Sequence, residues 1–517
     1  MRKQQTTPVE TAQIETQPSH VEAVKTGPEE PANLLHRYGW DMLVVLAMGI
    51  ALYIGLFGPM FSDVPNYQCH ALAFWKGLLP ALTTRPSWQC SFLLYPQGLS
   101  ISPNVLIQWM LAHHLPMSLI RLVGSQAPGS PLHTLPDVYP LPALIPFSLP
   151  LLIAPPDQYA VVYAISMALL AAVIYGLLRF FRSRGAAGVY ARYIVIGGWA
   201  TAAGRFDLIP SALTLVAILF GVRKRWNWAF ACLALAVVFK FYPLVLLFPF
   251  LLAQQLGSGE KRISWRRFAP LAVFAAICLV VLAVSLRLSV VGTIAPLTFF
   301  ANRPFEVEST GASLLWLFHF LGYPLSPTGA YRAFDVLSPL SSQVSLVNML
   351  LLGAGLLYTW WLQWRGRVDL VVSCLLTLLI VIFTGKVFSP QYLLWIIPLA
   401  AYIGEWKPRW VVAWFLLGGL TTCIFPFLYT VYWGRFNNVS DTPFFYAMIA
   451  VRNLFLLCMI VALLFSYSRK QPARGVFGKI ESSLMPLTQR FSWANRWFNA
   501  SARRSTTLAD GDGRTAL

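Results

Sequence analysis

From Met42 onward, long apolar runs alternate with short segments in which Arg, Lys, Pro and Gly collect. A run of about 20 apolar residues matches the hydrocarbon core of a bilayer when helical. On that pattern spans are expected over 42–61, 158–178, 188–203, 206–222, 226–239 and 242–254. Six more follow over 268–287, 343–363, 368–384, 391–404, 411–430 and 443–466. The expected fold class is therefore an all-α polytopic membrane protein, a bundle of about twelve transmembrane helices.

Residues 62–157 between the first two spans read as a long extracytoplasmic loop carrying interfacial helices. The run 103–123 is apolar but includes His113, His114 and Arg121, the composition of a helix lying in the interface. The run 138–156 holds six prolines, too many for a lipid-exposed helix, and is expected to lie half-buried against the bundle. Residues 226–254 must cross out and back around Lys-Phe-Tyr-Pro. Two half-length helices meeting at a proline turn achieve this, beside protein or a water-filled cavity. No internal repeat is visible.

Basic clusters set the orientation. Arg179, Arg182 and Arg184, then Arg223, Lys224 and Arg225, then Lys261, Arg262, Arg266 and Arg267 each follow an expected span. Arg365 and Arg367, and later Lys407 and Arg409, do the same. An even number of crossings puts all of them, and both termini, in the cytoplasm. Residues 1–40 then read as a disordered cytoplasmic tail, 41–467 as the bundle and 468–517 as a basic cytoplasmic tail. No cleavable signal peptide precedes the first span.

Composition narrows the class further. Of 517 residues, 57% are hydrophobic and 11% charged, against about 25% charged in a soluble domain. The net charge of +19 lies in short loops and tails rather than on one stripe, which argues against a nucleic-acid partner. The seven cysteines lack metal-ligand spacing. Cys69 and Cys90 share the external loop, where they either pair in an oxidising compartment or remain free thiols.

Charged residues near the apolar spans gather at the end opposite the basic loops: Asp63, Asp137, Arg205, Asp207, Lys240, Arg303, Glu306, Glu308, Lys386 and Arg435. An ionised group within a span costs about 2.5–3.5 kcal/mol on insertion scales, so repeated acceptance of that cost points to a polar site. Asp63 in SDVPNY is either a general base or a helix-end carboxylate meeting water. Asp137 either shares acceptor binding or caps the following segment. Arg205 and Asp207 either neutralise each other locally or place Arg205 toward a phosphate. Lys240, with no acidic neighbour in its segment, either snorkels or forms a phosphate clamp with Tyr242. Arg303, Glu306 and Glu308 read as solvated loop charges. The segment GKVFSPQYLLW places Lys386, Ser389, Gln391 and Tyr392 at an outer apex, and Asn438 heads a formal glycosylation acceptor. No dinucleotide or P-loop fingerprint is present, so a donor must come from elsewhere, and the membrane is its source.

These segments together resemble the GT-C superfamily of polytopic glycosyltransferases, and within it the bacterial alpha-mannosyltransferase-like glycosyltransferase family 87. The resemblance covers roughly residues 40–465. It rests on SDVPNY, DVYPLPALIPFSLP, GRFDLIPSALTLVAI, FKFYPLVLLFPFLL, RPFEVESTGASLLWL and GKVFSPQYLLW, in that order. It implies transfer of a hexose, mannose in particular, from a polyprenyl-phosphate donor to a glycan or glycolipid acceptor at the outer face of a bacterial plasma membrane, with inversion. Asp63 would be the base. Lys240, Arg205, Tyr242 and Lys386 would hold the donor phosphate. Asp137, Tyr139, Asp207, Glu308 and Gln391 would bind acceptor or sugar. No cofactor beyond the lipid-linked donor is implied, and Asn66, where a second acid is usual, leaves a metal site without support. The competing reading is a transporter or flippase of a lipid-linked sugar, whose charges belong at mid-depth instead.

Overall fold

The computed structural model describes residues 32–57, 62–94, 102–257, 265–329, 331, 333–432 and 441–469. The chain divides into two units, Met1–Leu43 and Val44–Leu517. Of the first, the described part is the opening of helix α1, Ala32–Phe57. The stretch expected to be tail up to residue 40 is thus already helical from Ala32. No proline separates Ala32 from the apolar run, so nothing stops the helix from extending backward. The rest of both expected tails, Arg435 and Asn438 lie outside the described residues.

The second unit continues with α2 (Val64–Lys76), α3 (Pro103–Ala112), α4 (Met117–Ser125), α5 (Leu144–Ile153), α6 (Tyr159–Phe181) and α7 (Arg184–Gly197). Then come α8 (Leu208–Val222), α9 (Trp226–Phe239), α10 (Leu247–Leu256), α11 (Ala269–Leu288), α12 (Val290–Asn302) and α13 (Thr310–His319). The last five are α14 (Ser341–Trp364), α15 (Leu370–Thr384), α16 (Leu393–Gly404), α17 (Pro408–Thr422) and α18 (Phe445–Ser468).

Six helices among the described residues are long and apolar enough to cross a membrane: Tyr38–Gly55, Tyr159–Phe181, Ala269–Leu288, Ser341–Trp364, Pro408–Val431 and Phe445–Ser468. The chain is on this basis a multi-pass helical membrane protein. The other expected spans are shorter. The 14 residues of α9 rise only about 21 Å, against a core of about 30 Å. Burial explains the shortness of two of them. Every residue of α15 except Val381 is buried, and every residue of α16 except Ile403. A helix apolar all round and enclosed by others does not have to match the bilayer.

The outer loop departs from expectation in detail. Run 103–123 is not one helix: Pro116 precedes α4 and breaks it from α3. The two pack through Leu106, Met110, Ile120 and Val123 against Val290 and Val291 of α12, a helix the pattern did not single out. Helix α2 was also unexpected, and Cys69 within it is disulfide-bonded to Cys90. The described residues are almost entirely helical, with one small exception. A small antiparallel sheet joins β1 (Phe305–Glu306), β2 (Ser326–Thr328) and β3 (Asp335–Leu337) in the order β1-β3-β2. Its Phe305–Val336 pair enters a second core with Leu315, Phe425, Tyr429 and Phe445.

Two glycines allow close approaches that a side chain would block. A Cβ on Gly197 of α7 would stand 2.9 Å from the Gly418 Cα of α17, so these helices touch backbone to backbone. A Cβ on Gly204 would stand 2.9 Å from Ser62 Oγ, which brings the GRFD segment against the start of SDVPNY. Gly197→Leu overpacks the α7–α17 crossing, a class of change costing about 1–3 kcal/mol. Its thermal midpoint in detergent is expected to fall, whereas Gly353→Leu, with nothing within 4 Å of its Cβ, leaves the midpoint unchanged.

Candidate functional site

Three short connections and two loop segments meet at one end of the helices. The connections are 203–207 before α8, 240–241 after α9, and 385–392 between α15 and α16. Each carries Gly, Pro or both at or beside it, which ends one helix and turns the chain. With Ser62–Asp63 and 303–308 they enclose a cavity of about 350 Å³ lined by Asp63, Tyr139, Arg205, Lys240, Glu306 and Gln391 among others. The basic loops lie at the opposite ends of the same helices. Helix α8 runs from Asp207 to Arg223, and α9 from Arg225 to Lys240. Helix α16 runs from the cavity residue Tyr392 toward Lys407.

The first wall is a crossed pair of ion pairs. Arg205 Nη1 bonds Asp63 Oδ2, while Lys240 Nζ stands 2.6 Å from Asp207 Oδ1. Arg205 and Asp207, two residues apart, thus each take a direct ion-pair partner from another element. Lys240 does have an acidic partner; it lies 33 residues away, beyond the reach of a search among sequence neighbours. Trp395 Nε1 donates to the same Asp207 oxygen at 2.6 Å, and the carboxylate is 1% exposed. The rings of Phe206, Trp395 and Tyr392 stand 5.1, 5.3 and 5.7 Å from Lys240 Nζ. At Asp63 the bonds converge on Oδ2, where the Tyr139 and Tyr67 hydroxyls also donate at 3.3 and 3.5 Å. Oδ1 carries no hydrogen bond among the described residues.

The second wall overturns the reading of 303–308 as solvated charges. Arg303 is buried against Asp335 at 3.1 Å and Glu306 at 3.6 Å. Glu308 Oε2 accepts from Arg452 Nη1 at 2.7 Å, its Oε1 from the Tyr429 hydroxyl at 3.0 Å. Arg452 Nη2 and Asn453 Nδ2 both donate to the Glu308 carbonyl, at 2.5 and 3.1 Å. Burial pushes Glu308 up to about 7, with Arg452 opposing the shift. Burial likewise raises Asp335 to about 6, against Arg303. It raises Glu306 too, with Arg303 pulling the other way. Glu306 Oε2 is buried at the cavity without a hydrogen-bond partner among the described residues.

Several expected site residues stand elsewhere. Tyr242 does not line the cavity; its ring lies flat on Trp395, centroids 3.9 Å apart at 1°. It cannot close a clamp with Lys240 from there. Lys386 also stays out of the lining, with its Nζ donating to the Ala301 carbonyl at 3.1 Å. Asp137 lies 3.7 Å from His70 Nε2, and it is His70 that reaches the cavity. Asp207 backs the wall through Lys240 without lining it. Tyr139, Glu308 and Gln391 do line it, though the Gln391 Oε1 is taken by Ser389 Oγ at 2.7 Å and Glu308 by Arg452.

Arg452 is the residue sequence reasoning missed. It is fully buried in a 24-residue apolar helix, and an arginine inside such a run was signal enough. Among the described residues no group of three or more His, Cys, Asp and Glu side chains is placed to hold a metal ion. No family model matches this chain, and no curated protein matches it.

Removing one partner of a buried ion pair costs about 3–5 kcal/mol, because a charge is left behind. Arg452→Met is therefore expected to lower thermal stability in detergent sharply. Arg452→Met with Glu308→Gln should recover part of the loss, and additive losses in that double-mutant cycle would contradict the pairing.

Proposed function

We propose that this chain is a GT-C-type membrane glycosyltransferase that moves a hexose from a polyprenyl-phosphate donor to a glycan or glycolipid acceptor. The observation that carries this reading is Asp63: a carboxylate with one free oxygen, held in a cavity beside two cations supplied by other helices. In the reaction an acceptor hydroxyl oxygen attacks the anomeric carbon from the face opposite the phosphate. Asp63 Oδ1 takes the hydroxyl proton. The bond between the anomeric carbon and the phosphate oxygen breaks, and its electron pair leaves with the polyprenyl phosphate. Arg205 and Lys240 meet the developing charge.

Arg205 has five N–H donors, more than Asp63 alone can take, so it can orient the base and also turn toward the phosphate. Lys240, steadied by Asp207, acts as a point charge. Glu306 Oε2 and the Gln391 Nε2 amide are the polar groups offered to sugar hydroxyls, and Tyr139 positions the base. The cavity rim supports a lipid-linked donor: Phe299 and Phe300 line it, and Leu297 and Phe300 of α12 are 57% and 37% exposed. An apolar surface leading out of a polar cavity suits a polyprenyl chain entering from the bilayer. The basic loops at the far ends of the helices support a cavity facing outward from a bacterial plasma membrane, with twelve crossings and both termini cytoplasmic.

Asp63→Asn, assayed in membranes with labelled polyprenyl-phosphate hexose, is expected to reduce transfer by about 10²-fold or more. Lys240→Met is expected to lower kcat and kcat/KM together, as loss of a contact that strengthens in the transition state does. Wild-type transfer by Asp63→Asn would refute the base. Translocation of the lipid-linked sugar without transfer by the wild type would favour a flippase.

A further inference from the structure

A second hollow, of about 510 Å³, opens at the basic-loop end and is lined by Trp361, Trp364, Arg365 and Arg367. The last turn of α14 supplies both tryptophans. Gly366, at φ +66°, reverses the chain so that Arg365 and Arg367 return over Trp361, at 5.9 and 5.5 Å from its ring. Arg367 Nη1 also donates to the Ser468 carbonyl at 2.5 Å, which brings in the end of α18. Among the described residues neither guanidinium has a carboxylate partner, and the Arg365 side chain makes no hydrogen bond. Asp369, the nearest acid in sequence, accepts from the Val372 amide as the cap of α15.

The hollow terminates an exposed apolar ridge. Leu346, Leu350, Leu357, Trp361 and Trp364 recur at helical spacing on one face of α14, and Leu357 and Trp364 are 67% and 68% exposed. This helix is one of the six long enough to cross a membrane. Two cations with no carboxylate partner among the described residues, at the end of an exposed apolar stripe and flanked by amphipathic indoles, suit the boundary between acyl chains and headgroups. We propose that this is a binding site for an anionic phospholipid, its phosphate held by Arg365 and Arg367 and an acyl chain lying along the Leu346–Trp364 ridge. The site is separate from the catalytic proposal, and either can fail alone.

Full-length protein in mild detergent is offered phosphatidylglycerol or phosphatidylcholine, and retained lipid is counted by native mass spectrometry. Phosphatidylglycerol is expected to be retained in preference. Arg365→Gln, which removes no hydrogen bond or ion pair among the described residues, should cut that retention several-fold, and Arg365→Gln with Arg367→Gln by about tenfold. Lys407→Gln, in a different basic loop, should leave it unchanged. Equal retention of the two lipids, unchanged retention in the arginine variants, or an equal loss in Lys407→Gln would overturn the proposal. Displacement of the lipid by inorganic phosphate at millimolar concentration would overturn it in favour of a free-phosphate site.

Discussion

Arg205 and Asp207 find their partners on different elements, and the placement of the cavity follows from that crossing. Taking an ion out of water costs several kcal/mol even after relaxation, so neither charge can be left alone once the surrounding helices close. Arg205 requires Asp63, which fixes the start of α2 against the turn before α8. Asp207 requires Lys240 and the Trp395 indole, which fixes the end of α9 and the first turn of α16. Gly204 permits the first contact by letting the backbone approach Ser62. Four chain segments far apart in sequence are thereby held around one space.

The opposite wall obeys the same rule with different residues. Glu308 is buried, and Arg452 answers it from within α18 with one guanidinium bond to its carboxylate and one to its carbonyl, to which Asn453 adds a second. The small sheet matters here because Arg303 and Asp335 lie on or beside its strands and pin the loop that carries Glu306 and Glu308. Several polar atoms are left over in this wall, among them Asp335 Oδ2, Thr310 Oγ1 and Glu306 Oε2, and of these three residues Glu306 is the one that lines the cavity.

Apolar periodicity made the helices legible, and charge made one end of them conspicuous. The run 226–239 coincides with α9, and most expected spans start or stop within a few residues of a helix. Asp63, Arg205 and Lys240 do share one cavity. Pairing was not legible, because it depends on which helix ends meet in space. Lys240 lacked an acid nearby in sequence, and its partner belongs to the other end of a helical hairpin. Tyr242 is only two residues from Lys240, yet a 3₁₀ turn over Tyr242–Leu246 carries its ring onto Trp395 instead. Strands of two or three residues leave no periodic trace, so 303–308 looked like solvent-exposed loop.

The hairpin explains why the Lys240–Asp207 pair forms where it does. Helices α8 and α9 are joined by Arg223–Arg225, so the first residue of one and the last of the other return to the same level. Asp207 flanks the N-terminus of α8 and Lys240 the C-terminus of α9. Each charge therefore complements the dipole of its own helix, an effect of about 0.3–1 kcal/mol and at most about 2. That is smaller than the several kcal/mol lost by desolvating either ion. The dipoles select the location, but only the direct contact at 2.6 Å and the Trp395 hydrogen bond can offset the remainder. A ligand phosphate drawing on Lys240 must therefore bind without displacing Asp207, which limits it to the face of the ammonium that opens into the cavity.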